Sequence, residues 1–199
     1  MGLPQRLASL SVAEYYRIEN AAEFRSQYFA GEMFAMSGGT PRHSLIKNNV
    51  GGLLYALLRQ RPCATYDSDL RLRVTETNLI TYPDVSVVCG ELQVDPDDAN
   101  TALNPTLIVE VLSPSTEAYD RGAKFGHYRR IPSLREYVLV SQDEPRVERF
   151  LLNEDGTWTF AIANGLDESI DLGSLGVTLP LSEIFSKVDF TTEPVATPA

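Results

Sequence analysis

The 199-residue chain is 43% apolar, 22% charged and 9% aromatic, which excludes wholesale disorder and fits one domain, expected over residues 1–190 with a frayed tail at 191–199. A chain of this length buries roughly 70% of its unfolded surface and needs no metal or disulfide staple, and no apolar run approaches the ~18 to 20 residues of a membrane span. The net charge of −10 argues against an anionic partner, but it is uneven, with net −3 over residues 1–150 and net −7 over 151–199. Met1 to Ser11 carries no apolar leader, so the expected location is cytoplasmic, with Cys63 and Cys89 as reduced thiols.

Ser11 with Glu14 forms a capping box for a short helix to about Ile18. Phe24–Met36 reads as a hairpin, with Ala30-Gly31 near its turn. Ser37-Gly38-Gly39-Thr40 is a loop, and Pro41 opens a helix with Leu45, Val50, Leu53, Leu54, Leu57 and Leu58 at helical spacing, ending before Pro62. Cys63–Tyr66 and Asp69–Val74 alternate, with Leu70, Leu72 and Val74 on one face and Arg71 and Arg73 on the other. Strands follow at Pro83–Cys89 and Thr106–Leu112, separated by an acidic loop, Glu91–Pro105. Thr116–Arg130 is a helix candidate, and Glu136–Ser141 a buried strand. Arg146–Leu152, Thr157–Ile162 and Ser169–Leu172 extend the sheet antiparallel, with a short helix near Leu181–Phe185. The fold class is α/β with a mixed β-sheet and an antiparallel C-terminal β extension.

Two carboxylates stand out because an ionised acid in a core costs several kcal/mol unless it is paired. Glu110 interrupts the apolar run Leu107–Leu112, and Asp84 lies in the strand candidate Pro83–Cys89, within Tyr82-Pro83-Asp84-Val85-Ser86-Val87-Val88. Separate salt bridges would satisfy them; alternatively, two acids at the ends of adjacent strands share one divalent cation that activates a water. Asp120 and Lys124 lie one helical turn apart on the helix after the Glu110 strand, with His127 and Tyr128 continuing the stripe. With only three lysines against fourteen arginines in the chain, a lysine here is unusual, and its compact ammonium suits a water nucleophile or a developing phosphorane charge. An ordinary Asp120–Lys124 helix pair is the alternative.

These residues resemble a known family. Tyr82-Pro83-Asp84-Val85-Ser86-Val87-Val88, Glu110-Val111-Leu112-Ser113-Pro114-Ser115-Thr116, then Asp120, Lys124 and Tyr128 before Glu136-Tyr137-Val138-Leu139-Val140, are similar to the Uma-type restriction endonuclease family, a branch of the PD-(D/E)XK nuclease superfamily. Gly31-Glu32, His43 and Asp69-Leu70-Arg71 match it as well, and the resemblance spans residues 10–185. It implies a restriction-endonuclease-like core of mixed sheet flanked by helices, binding Mg2+ (or Mn2+) through Asp84 and Glu110. Asp84, Glu110 and Lys124 would be the catalytic set for hydrolysis of phosphodiester bonds, with DNA as the expected substrate. The superfamily's lysine usually follows the second acid by two residues; Leu112 stands there, so Lys124 is implied as a displaced lysine. Glu32, His43 and Asp120 are implied as accessory residues, although His43 also reads as a capped, satisfied histidine.

For nucleic-acid contact the candidates are Arg71 and Arg73, which could equally form a surface ladder, and Arg121, Arg129 and Arg130. The last three share with Lys124 a stretch, 121–130, that holds no acid and could equally be a solvated helix face. The rival to an endonuclease is a catalytically lapsed nuclease fold acting as a protein-binding or regulatory module, which the net charge favours. A glycosidase-type carboxylate pair leaves Lys124 unexplained. Gly-x-Ser-x-Gly, zinc-site spacing and a phosphate-binding Gly-Lys-Ser/Thr are absent. A nuclease that cuts both strands suggests a homodimer, with no membrane partner.

Overall fold

The computed structural model describes residues 9–36 and 38–191, so Ser37 and nearly all of the expected tail lie outside the described residues. Helix α1 (Val12–Glu19) begins with the capping box: the Ser11 backbone N–H donates to Glu14 at 2.8 Å, and the Glu14 N–H donates to the Ser11 hydroxyl. The hairpin β1 (Ser26–Phe29) and β2 (Glu32–Ala35) turns at Ala30 and Gly31, whose φ values of 50° and 91° match the left-handed pair a two-residue hairpin needs.

Helix α2 (Pro41–Leu58) starts on Thr40, whose hydroxyl accepts from the His43 N–H at 3.1 Å. Its buried stripe is Ile46, Val50, Leu54 and Leu58, an i, i+4 row, while Leu57 is exposed. The expected stripe was therefore offset at its start, with Ile46 rather than Leu45 facing the core.

After α2 come β3 (Cys63–Asp67), β4 (Arg71–Val74), β5 (Leu79–Thr81), β6 (Val85–Cys89), β7 (Val94–Asp95), β8 (Asp98–Ala102) and β9 (Leu107–Val111). The segment expected as an acidic loop thus contains β7 and β8. Their acids turn inward: Asp95 meets Arg73 at 2.6 Å and Asp98 meets Arg71 at 3.0 Å, and paired acids tolerate burial in a strand. Next is α3 (Glu117–Tyr119), continued by one π-helical turn (Asp120–Lys124) into α4 (Phe125–Tyr128). Then follow β10 (Glu136–Val140), β11 (Arg146–Leu152), β12 (Trp158–Asn164), β13 (Ser169–Leu172), β14 (Val177–Pro180) and α5 (Leu181–Ile184).

The strands form two six-stranded sheets. The first has the order β2-β1-β5-β4-β8-β7; the second, central sheet has the order β12-β11-β10-β9-β6-β3, and β13 and β14 pair by themselves. β9 and β10 run parallel, linked by the helical segment 117–128, whereas β6 and β9 are antiparallel. Alternation along the central sheet sends Val85, Val87, Val109, Val111, Val138 and Val140 to the face covered by α2. Ile108, Leu112, Tyr137 and Leu139 go to the other face with Tyr128. This is a mixed α/β fold with a C-terminal antiparallel pair.

The expectation of two reduced thiols is corrected: Cys63 and Cys89 form a disulfide. The β3–β6 register sets them directly opposite each other, which the two separated strand segments could not reveal on their own.

Candidate active site

Glu110 lies in β9 between apolar neighbours, paired in register with Leu139 of β10. By period-two alternation its carboxylate points to the face carrying Ile108 and Leu112, the face over which the helical segment 117–128 passes. There Glu110 Oε1 accepts a hydrogen bond from the Tyr128 hydroxyl at 2.8 Å and lies 2.8 Å from Lys124 Nζ. Lys124 also reaches Asp120 Oδ1, at 3.1 Å. All three charged side chains are buried. The i, i+4 relation of Asp120 and Lys124 persists through the π turn, and the Tyr137 hydroxyl donates to the Asp120 carbonyl within that turn, at 3.1 Å.

Asp84 stands immediately before β6. The β6–β9 register, continued one step past Val85–Val109, sets it opposite Glu110. Its Oδ2 accepts from the Val111 N–H at 2.8 Å and lies 3.2 Å from His43 Nε2, in the first turn of α2. Two sheet strands, one helix start and one helical crossover therefore converge at the mouth of β6 and β9.

The electrostatics follow from this packing. Burial pushes the Glu110 carboxyl up, to about 7; Asp120 and Asp84 push the same way, and Lys124 opposes them. Burial also works against charge on Asp84, but the hydrogen bond and charge of His43, the Val111 N–H and Lys124 outweigh it, and its carboxyl lies below the ordinary range. Burial opposes protonation of His43 and of Lys124, yet their carboxylate partners raise both above their ordinary values. Acids exceed bases in the cluster: Asp84, Glu110 and Asp120 stand against His43 and Lys124. That excess of carboxylate oxygen suits a hard divalent cation, although among the described residues no three His, Cys, Asp or Glu side chains converge as a metal cluster.

Of the expected accessory residues, His43 and Asp120 join the cluster. Glu32 is exposed on the edge strand β2, and among the described residues no hydrogen bond or ion pair ties it to Asp84, Glu110 or Lys124. His127 leaves the stripe to pack edge-on against Phe29. Arg71 is not open to phosphate: it is buried, bound to Asp98 and Asn20. Arg73 is committed to Asp95, Arg121 to Glu117 and Glu148, and Arg130 to Glu76. Arg129 is exposed and has no ion pair among the described residues. Sequence reasoning passed over Lys47, one turn beyond His43 on α2; its i, i+4 spacing from a site histidine was the available signal.

A model described as "Uma2: Putative restriction endonuclease" matches residues 12–182, most of the chain. The chain belongs to the Uma2 family. Two relatives of similar length share much of it. The uncharacterized protein slr1290 of Synechocystis sp. is 36% identical over 184 residues, covering 91% of this chain and 94% of that protein. The uncharacterized protein sll1609 of the same organism is 33% identical over 168 residues, covering 84% and 95%. Among solved structures, a putative nuclease belonging to DUF820 from Anabaena variabilis superposes with a TM-score of 0.71 at 19% identity, over 87% of this chain and 96% of that one. The likeness extends a nuclease fold to this Uma2 chain. No described helix is long and apolar enough to cross a membrane.

Proposed function

We propose that this Uma2 protein is a metal-dependent endonuclease, one nuclease domain over residues 1–190, hydrolysing phosphodiester bonds of DNA with Asp84, Glu110 and Lys124. The observation that carries the reading is the buried contact of Glu110 with Lys124, beside an Asp84 fixed opposite it. Asp84 and Glu110 would hold Mg2+ or Mn2+, and a cation there lowers the pKa of a bound water and offsets charge on the phosphodiester. His43 and the Val111 N–H hold Asp84 ionised and oriented. Tyr128 and Lys124 fix the Glu110 carboxylate, and Asp120 fixes Lys124. Lys124 keeps its proton, and so acts as a fixed positive charge near a developing phosphorane rather than as a base.

The test is nicking and linearisation of supercoiled plasmid with Mg2+ or Mn2+, compared with Asp84→Asn. Metal-dependent cleavage lost in the variant supports the reading. Absence of both cleavage and DNA binding in the wild type overturns it in favour of a lapsed nuclease fold with a protein partner. A homodimer, which would place two such sites on opposite strands, is read by sedimentation in the same preparation.

A further inference from the structure

Lys47 follows His43 by one turn of α2, so the two share a face of the helix at the end that meets Asp84. Its Nζ donates to Ser68 Oγ at 3.0 Å, in the turn between β3 and β4. Arg25 comes to the same turn from the other side: its Nη1 donates to the Ser68 carbonyl at 2.9 Å and to the same Oγ at 3.3 Å. Two cations thus converge on one hydroxyl. With both acceptor positions of that oxygen engaged, the Ser68 hydroxyl has its own proton left to donate.

Among the described residues Lys47 has no ion pair, and Arg25 has only an exposed one. The Lys47 charge acts on the neighbouring His43 imidazole. Arg25 has Asp69, but their side chains are 45% and 74% exposed, and an ion pair so open to water is weak and displaceable. The cations of the helical segment 117–128 contrast with this: Lys124 is held by Glu110 and Asp120, and Arg121 by Glu117 and Glu148. Past Arg25 a cavity of about 300 Å3 opens, but Glu19, Glu23 and Asp69 share its wall with Arg25 and Arg71, so the phosphate seat lies on the Lys47 and Ser68 side of Arg25. The link from the two cations to the candidate metal ligands runs through α2, where Lys47 stands one turn from His43 and His43 meets Asp84.

We propose that Lys47, Arg25 and the Ser68 hydroxyl form a phosphate-binding subsite that seats a backbone phosphate of the nucleic acid next to the one attacked at Asp84 and Glu110. The subsite rests on the endonuclease reading and moves the main backbone contact away from Arg121, Arg129 and Arg130. Lys47 and Arg25 are positioning residues, since they hold the strand and not the reacting atoms.

The test is fluorescence anisotropy of a labelled 20-base-pair duplex with Ca2+ in place of Mg2+, across a salt series, for wild type, Lys47→Gln, Arg25→Gln and the double variant. Each single change should weaken binding about three- to tenfold, and the double variant should lower the salt slope by ~0.9, the value for one lost phosphate. Lys47→Arg should restore most of the affinity, which a purely structural role for the side chain would not give, and thermal melting controls for folding. A wild type that cuts DNA while the double variant binds with unchanged affinity and slope overturns the subsite and leaves the endonuclease reading standing. A wild type that neither binds nor cuts overturns both. Loss of inorganic phosphate binding in the double variant with DNA binding unchanged assigns the cradle to a free anion and also overturns the subsite.

Discussion

Lys124 reaches Glu110 at 2.8 Å from the crossover that follows the Glu110 strand, so a lysine fourteen residues downstream in sequence is a contact neighbour in space. Its side chain is buried with two carboxylates, and that burial changes what its removal should do. Leaving fold and metal binding untouched is not the expected effect of Lys124→Ala. The change strands Glu110 and Asp120 without a counter-charge, and breaking a buried ion pair from one side costs about 3–5 kcal/mol. Urea denaturation should show that loss, together with loss of cleavage. Adding Asp120→Asn should recover part of the stability and none of the activity; additive destabilisation in the double variant would contradict the triad.

Tyr128→Phe keeps the ring in the aromatic cluster with Tyr137 and removes only the hydroxyl that donates to Glu110. A stability loss of about 1–2 kcal/mol is expected, because one buried hydrogen bond to a carboxylate disappears while no cavity opens. Mn2+ titration calorimetry should show weaker binding by up to about tenfold, as when a hydrogen bond behind a metal ligand is cut. Unchanged affinity would separate Tyr128 from the metal ligands.

His43→Ala should lower divalent-cation affinity about 10- to 100-fold, since His43 and the Val111 N–H are what orient Asp84. His43→Gln, which can still donate to Asp84, should lose less. Equal losses for the two variants would mean that the imidazole contributes through its charge and not through the hydrogen bond.

Asp95 provides a pH dependence remote from the candidate active site. Burial pushes its carboxyl up, but Arg73, the Asp97 N–H and Tyr16 outweigh that and hold it below the ordinary range. A carboxyl depressed in the folded state stabilises the fold above its unfolded value of ~3.9 and loses that contribution as pH falls through the folded value. Melting temperatures from pH 6 down to pH 2 should therefore fall in acid, and Asp95→Asn should flatten the lower part of the curve. A variant with the wild-type slope would contradict this role for the Arg73 pair.

Much of this arrangement was legible from residues. Asp84 and Glu110 declared themselves as acids in apolar strands, the hairpin by Ala30-Gly31, and Asp120 with Lys124 by one-turn spacing. What stayed hidden depends on pairing between distant segments. Arg71 and Arg73 read as a solvent face because their partners, Asp98 and Asp95, lie on a short strand pair within an acidic, Pro-bearing segment that reads as a loop. Cys63 and Cys89 depend on a register that local pattern does not set. Lys47 is unremarkable until the turn at Ser68 is brought beside α2.

On the proposed reading Asp84 and Glu110 share one divalent cation. Anomalous scattering from crystals soaked in Mn2+ tests it most directly. One peak is expected between the two carboxylates, within ~2.0–2.3 Å of an oxygen of each, the range set by hard-cation coordination. A peak held by only one of them, or Mn2+ bound elsewhere with the Lys124–Glu110 contact undisturbed, would contradict it.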